Sequence, residues 1–184
     1  MSILVKSIGA IVAVVVLAFG AGFLLPSQVH VERSILVDAP LAAVFSKISD
    51  FQQWDAWSPW AQLDPDASMT ISGSGVGQTM SWSSENPQVG EGTQEVVALE
   101  SPNYLKTHLN FGHQGGADAA FSLTPEADAT RVLWSLDTDM REGVPLLGQP
   151  LSTYFGFFMD SMIGTDYETG LQNLKQVVEA QNQA

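Results

Sequence analysis

The spacing of apolar residues changes character along the chain, and each change marks an element. From Ile8 to Leu25 no residue carries a charge (IGAIVAVVVLAFGAGFLL), and Pro26 closes the run. As a helix rising 1.5 Å per residue this stretch is about 27 Å long, close to the ~30 Å hydrocarbon layer of a bilayer. Ile3, Leu4 and Val5 extend it past Lys6, whose long stem can carry its ammonium out to the headgroups. The pattern predicts a transmembrane anchor over residues 1–26, with the globular domain over 27–184. The alternative is a cleaved signal peptide ending at the small residues of Ala18-Phe19-Gly20, which would leave Phe23-Leu24-Leu25 at the mature N-terminus. The Gly residues at 9, 20 and 22 are common in membrane helices and specify no partner on their own.

From Gln28 the period becomes two. Val29, Val31, Ile35 and Val37 share one parity, as in a strand. Asp38 is positioned as an N-cap and Pro40 as a first-turn residue, and Leu41, Val44, Phe45 and Ile48 then follow at helical spacing. Asp50–Trp60 is a short, Trp-rich helical or irregular segment stopped by Pro59, and Asp64-Pro65-Asp66 reads as a turn. Strands are predicted at 68–72, 78–83, 91–100, 104–111, 117–124 and 130–138. They are short, separated by turn residues and apolar on one face, the pattern of an antiparallel sheet. After Gly143-Val144-Pro145 the period is helical to about Ala180. Thr165-Asp166-Tyr167-Glu168 has the form of a capping box, predicting a fresh helix start near 165, with Leu171, Leu174, Val177 and Val178 as the buried face. Before Gly164 lies an apolar stripe of Tyr154, Phe155, Phe158, Met159 and Met162. Consecutive strands without intervening helices, followed by a long C-terminal helical stretch, imply an α+β fold.

Charge narrows the partners. The net charge of the 184 residues is −13. All 20 acidic residues follow position 26, together with six of the seven basic ones, so the domain alone stands at −14. Such a surface repels phosphate backbones and anionic headgroups, which argues against nucleic acid and against peripheral electrostatic membrane binding. With no cysteine, disulfides, thiol catalysis and Cys-ligated metals are excluded. Lys6 before the apolar run, and only Arg33 close behind it among Glu32 and Asp38, place the N-terminus in the cytoplasm and the domain on the periplasmic or extracytoplasmic side.

Candidate chemistry is sparse. His30, His108 and His113 sit in unrelated segments, and the pairs Asp64/Asp66, Asp137/Asp139 and Asp166/Glu168 suit turn, strand-end and cap roles better than a calcium loop. Gly73-Ser74-Gly75-Val76-Gly77 lacks the Lys and the following helix of a phosphate loop and reads as a hairpin connection at a cavity mouth. No metal, cofactor or catalytic residue is expected. What stands out is the aromatic set, including Trp57, Trp60, Trp82, Phe111, Phe121, Trp134, Tyr154, Phe155 and Phe158, on inward strand positions or on the helix facing them. These side chains form either an ordinary core or the wall of an apolar pocket.

The segments ERSILVDAPLAAVFSKISDFQQWDAWSPW (32–60), QTMSWSS (78–84), ESPNYLKTHLNF (100–111), TRVLWSLD (130–137) and GTDYETGLQNLK (164–175) resemble the SRPBCC superfamily, in particular its bacterial polyketide cyclase/dehydrase-like members, some of which carry an N-terminal membrane anchor. The resemblance implies a helix-grip (START-like) fold, with a curved antiparallel sheet of about six or seven strands around a long C-terminal helix and an apolar cavity between them. It implies binding of lipids or other hydrophobic molecules, or cyclase chemistry, and carries no universal catalytic residue. The expectation is a membrane-tethered, non-catalytic binding domain whose cavity is lined by Trp82, Leu109, Phe111, Phe121, Trp134, Phe155, Phe158, Met159 and Met162. The alternatives are a cyclase- or hydrolase-type enzyme using the same cavity, and a structural or interaction module that fills it with its own side chains. Protein partners are not indicated by the sequence.

Overall fold

A computed structural model describes residues 3–112 and 115–182, with side chains from Ser7 onward. His113 lies outside the described residues. Helix α1 (Ile3–Gly22) precedes strand β1 (Gln28–Val37). Helix α2 (Leu41–Ile48), a 3-10 segment (Phe51–Ala56) and the short α3 (Pro59–Leu63) follow. Six strands come next: β2 (Ser68–Ser72), β3 (Thr79–Ser83), β4 (Glu91–Glu100), β5 (Tyr104–Asn110), β6 (Gly116–Glu126) and β7 (Ala129–Asp139). Helix α4 (Gln149–Asn182) ends the fold. The seven strands form one sheet in the order β1-β7-β6-β5-β4-β3-β2, with every neighbouring pair antiparallel. The α+β architecture and the long C-terminal helix expected from the sequence are present.

Register defines the two faces. Arg33 pairs with Trp134, Trp134 with Phe121 and Phe121 with Leu105. Leu109, on the same parity of β5 as Leu105, pairs with Gln94, and Trp82 pairs with Gly92 on that face. One side of the sheet therefore presents Arg33, Trp134, Phe121, Leu109 and Trp82 towards the helices. The other side carries a solvated polar row: His30 bonds Asp137 (2.7 Å), and His108 and Lys106 both bond Asp118 (2.8 Å each).

The core is built on aromatics. Trp54, Trp57, Phe121, Trp134 and Tyr167 are all buried. Trp134 is sandwiched between Tyr167 (ring centroids 3.7 Å) and Phe121 (4.7 Å), with Trp57 edge-on at 5.6 Å. Two of the indoles are pinned through their N–H groups, Trp54 to the Ile48 carbonyl (2.9 Å) and Trp57 to that of Lys47 (3.0 Å). The buried Gln78 fixes the segment that carries them: its Oε1 accepts the Phe51 N–H and its Nε2 donates to Asp50. Each large apolar side chain removed from water in this way stabilises by about 1.5–3 kcal/mol.

Three expectations are corrected. First, among the described residues no helix is long and apolar enough to cross a membrane. The apolar stretch Ile8–Leu25 is not one continuous helix: α1 stops at Gly22 and the chain turns through Phe23 and Leu24. The turn is held from outside, since Arg141 Nη2 donates to the carbonyls of Gly22, Phe23 and Leu25, groups a helix end leaves without partners. Second, α4 is unbroken from 149 to 182. Thr165 is not a cap; its hydroxyl donates to the carbonyl of Ser161, one turn back (2.7 Å). Gly164 does not break the helix but makes room. A Cβ there would fall on the Arg33 guanidinium, which lies across α4 and pairs with Asp160 (2.9 Å) and Glu168 (2.7 Å), one turn to either side. Third, Asp38 does not cap α2; the N-cap position is Pro40.

Candidate functional site

α4 contributes to the core only through its second half. Tyr167, Leu171, Leu174 and Val178 are buried, while Phe155, Phe158 and Met162 are exposed. The helix packs chiefly along β1, leaving the β2–β5 half of the inner sheet face to the shorter segment from Trp54 to Ala67. These two surfaces do not meet fully. Between them is a cavity of about 400 Å³, within the ~300–1,000 Å³ usual for small-molecule sites.

Its walls are mostly apolar. The Trp54–Ala67 segment contributes Trp54, Trp60, Ala61, Pro65 and Ala67, and the sheet side contributes Met69, Met80, Trp82, Val89 and Leu109. Trp82 is held flat against the sheet. Its indole N–H donates to the Val89 carbonyl (3.2 Å), and its ring covers Gly92, where a Cβ would stand 2.6 Å from it. Four polar residues line the same space: Asp55, Ser58, Asp64 and Gln94. Asp64 is bound locally by the Ser84 hydroxyl and the Asp66 N–H.

Gln94 is the most informative of them. It is 5% exposed and projects from an inward position of β4. The Thr107 hydroxyl donates to the Ala119 carbonyl (3.4 Å), so it accepts from Gln94, whose Nε2 lies 2.8 Å away. That orientation leaves Oε1 as the free end, and among the described residues nothing donates to it. Oε1 is not sealed off but opens onto the cavity, where a hydroxyl or N–H of a bound molecule can reach it. The cavity therefore offers flat aromatic walls and, beside Asp55 and Ser58, an amide oxygen held in place on Gln94.

Of the nine residues expected to line the cavity, Trp82 and Leu109 do. Phe111 stands behind Trp82, edge-on at 6.0 Å. Phe121 and Trp134 share the inner face but are sealed in the aromatic core. Phe155, Phe158 and Met162 point away from the sheet, and the half-buried Met159 is not part of the lining. The helical stripe was read on the assumption that apolar residues of α4 face the sheet, whereas Arg33 and Gly164 turn the helix so that its polar residues Asp160 and Glu168 lie over β1. Gly73–Gly77 joins β2 to β3 away from the cavity lining. The lining residues that the pattern did not single out were Trp54, Met69, Met80 and Gln94. For Gln94 the signal was present: a glutamine on the inward parity of β4, two residues before the buried Val96.

Titratable groups are displaced mainly elsewhere. Burial raises the Asp166 carboxyl, only partly offset by a hydrogen bond from Trp60, and burial drives the Tyr167 phenol upward. His30 is raised by its bond to Asp137. Neither Asp166 nor Tyr167 lines the cavity. Among the described residues no three His, Asp or Glu side chains cluster as metal ligands.

Comparison with known proteins agrees with this architecture. The family described as polyketide cyclase / dehydrase and lipid transport matches residues 28–179. A Thalictrum norcoclaurine synthase point mutant, solved in complex with a transition-state analogue, superposes with a TM-score of 0.62 at 13% identity, covering 84% of this chain and 96% of its own. A Staphylococcus aureus protein of unknown function gives 0.62 at 13% identity, over 85% and 97%. A Thermobifida fusca protein solved by NMR gives 0.60 at 18% identity, over 81% and 92%. At such identities the likeness concerns the fold alone. No curated protein matches the sequence.

Proposed function

Because the chain belongs to the polyketide cyclase/dehydrase and lipid transport family, we propose that it is a binding domain for a hydrophobic small molecule or lipid, held at a membrane by α1 and not itself catalytic. The observation that carries the reading is the cavity walled by Trp54, Trp60 and Trp82, with Gln94 Oε1 held open towards it as a hydrogen-bond acceptor. An apolar ring system bearing a hydroxyl or N–H would fill the walls and satisfy the amide oxygen together. The cyclase- or hydrolase-type alternative needs a general acid or base on the wall; Asp55 and Asp64 are the carboxylates there, and Asp64 is already bound by the Ser84 hydroxyl and the Asp66 N–H, which leaves Asp55 as the group that alternative would have to use.

Membrane attachment is supported by α1 itself. Ile8, Val12, Val14 and Leu17 are exposed, and apolar residues continue on both sides, Ile3 to Val5 and Phe23 to Leu25. A helix apolar all round belongs in hydrocarbon or in a core, and this one has no core around it. The accompanying location, with the domain on the extracytoplasmic side, is tested by protease protection in sealed vesicles.

Native mass spectrometry of the detergent-extracted full chain tests the binding reading. The expected spectrum carries a small hydrophobic adduct that is lost in Trp82→Ala, weakened in Gln94→Leu and retained in His108→Ala, whose side chain lies on the opposite face of the sheet. A bare chain that also shows no saturable binding of 1-anilinonaphthalene-8-sulfonate would overturn it. Turnover of the adduct in place of retention would transfer the site to the enzyme reading.

A further inference from the structure

The sequence contains a second uncharged stretch. Between Gly143 and Met159 (GVPLLGQPLSTYFGFFM) there is no Asp, Glu, Lys or Arg, in a chain where 27 residues are charged. It forms the turn before α4 and the first turns of that helix. Its large apolar side chains point outward: Leu147 is 78% exposed, Leu151 75% and Phe158 60%. Contiguous apolar surface of this extent is unusual on a water-facing protein and marks a contact.

What makes the contact follows from its neighbour. The surface is built directly against α1. Gly22 packs on Pro150 so tightly that a Cβ would stand 2.6 Å from the proline ring, and the Tyr154 hydroxyl donates to the Ala18 carbonyl (2.7 Å). Contacts 22 to 150 and 18 to 154 run in opposite directions, so the two helices lie antiparallel over this turn. Arg141 ties the pair together by bonding the end of α1 and the Thr153 hydroxyl of α4. Whatever surrounds α1 therefore also meets the first turns of α4. A protein partner would be expected to find a polar rim around an apolar centre, whereas α1 carries no polar side chain after Ser7 and the adjoining 17 residues carry no charge.

We infer that residues 144–158 form a second membrane contact, seated in the apolar edge of the bilayer beside α1, so that the domain is fixed against the lipid surface rather than swinging from a single helix. The inference rests on the proposed tether. The acidic remainder of the domain, lacking any electrostatic attraction to headgroups, stays on the aqueous side.

The chain has no cysteine, so single sites can be labelled without background. Val14→Cys, Leu147→Cys, Phe158→Cys and the exposed Gln172→Cys are each labelled with a nitrobenzoxadiazole dye on the full chain, reconstituted in phosphatidylcholine vesicles with or without nitroxide-bearing acyl chains. Retained far-UV circular dichroism qualifies each variant, and all four sites are exposed, so folding is not at stake. The expected result is loss of most emission at 14, 147 and 158 and none at 172. Quenching at 14 but not at 147 and 158 would overturn the second contact while leaving the tether intact; disulfide-linked dimers of Leu147→Cys would then identify a second copy as the occupant. Absence of quenching at 14 would remove the tether and this inference with it.

Discussion

Trp134→Ala separates a structural slab from a pocket wall. The indole is 2% exposed and lies between Tyr167 and Phe121 at stacking distances, with Trp54, Trp57 and Trp60 edge-on within 6.4 Å. Truncating a buried Trp of this kind costs about 3–5 kcal/mol, because the surrounding rings cannot all close over the void. One feature works in the other direction. Among the described residues the buried Trp134 N–H has no hydrogen-bond partner, and removing an unsatisfied donor returns about 1–3 kcal/mol. The expected loss is therefore about 2 kcal/mol.

Trp134→Phe sharpens the test. It keeps a ring between Tyr167 and Phe121 and deletes the orphan N–H, so it should cost about 1 kcal/mol or less, the relief offsetting the smaller ring. The assay is urea unfolding of the full chain followed by far-UV circular dichroism, with ligand-probe affinity measured separately on the folded protein. The reasoning fails if Trp134→Ala leaves stability within about 1 kcal/mol of the parent while abolishing probe binding, because the residue would then line the cavity. It also fails if Trp134→Phe is as damaging as Trp134→Ala, since the N–H would then have a partner that this arrangement does not contain.

Two further outcomes follow from local geometry. Thr165→Ala removes a mid-helix bond to the Ser161 carbonyl and replaces a weak helix former with the best one, so unfolding free energy should stay within about 0.5 kcal/mol of the parent or rise slightly; a loss near that of a deleted N-cap, about 1 kcal/mol, would restore the capping box. His30 titrates above its ordinary value of 6.5 because its ring bonds Asp137 across the β1–β7 ladder. Its contribution is thus fully present below about pH 6.5 and fades as pH rises through the elevated folded value. NMR titration of the imidazole should show that upward shift in the parent and most of it lost in Asp137→Asn, where the weaker bond to Glu32 remains, and a His30 midpoint at or below 6.5 in the parent would contradict the pairing.

The strands were legible because each carries its instruction in period two. Val29, Val31, Ile35 and Val37, or Phe121, Leu123 and the paired Val132 and Trp134, fix parity and hence the face on which each side chain lies. α4 was legible as a helix but not in its rotation or continuity. Its apolar residues before Gly164 have helical spacing whether they face a sheet, a lipid or another helix, and spacing alone cannot distinguish these. What sets the rotation is a single arginine ninety residues or more away in sequence from every group it binds on the helix: Arg33 over Gly164, between Asp160 and Glu168. The end of α1 was misplaced for the same reason. The bonds that end it come from Arg141, more than a hundred positions along the chain.

The position of the cavity follows from how the inner face of the sheet is divided. The β1–β7–β6 half is covered by the second half of α4 and filled by the Trp134 stack, leaving no room for a ligand. The β2–β5 half is covered only by the loop and short helices from Trp54 to Ala67, too small an element to fill a face bearing Met69, Met80, Trp82 and Leu109. Two choices of residue keep that half open. Gly92 lets Trp82 lie flat where any larger residue would tilt it into the space, and Gln94 places an unpaired oxygen where a methyl-bearing side chain would close the gap. A fold selected for packing alone would gain stability by reversing either choice, since voids forfeit dispersion energy. Both choices stand on the cavity side, next to aromatic walls already held by their own hydrogen bonds, and that arrangement is what a small-molecule site requires: a rigid apolar shape with a few polar groups left open to the ligand.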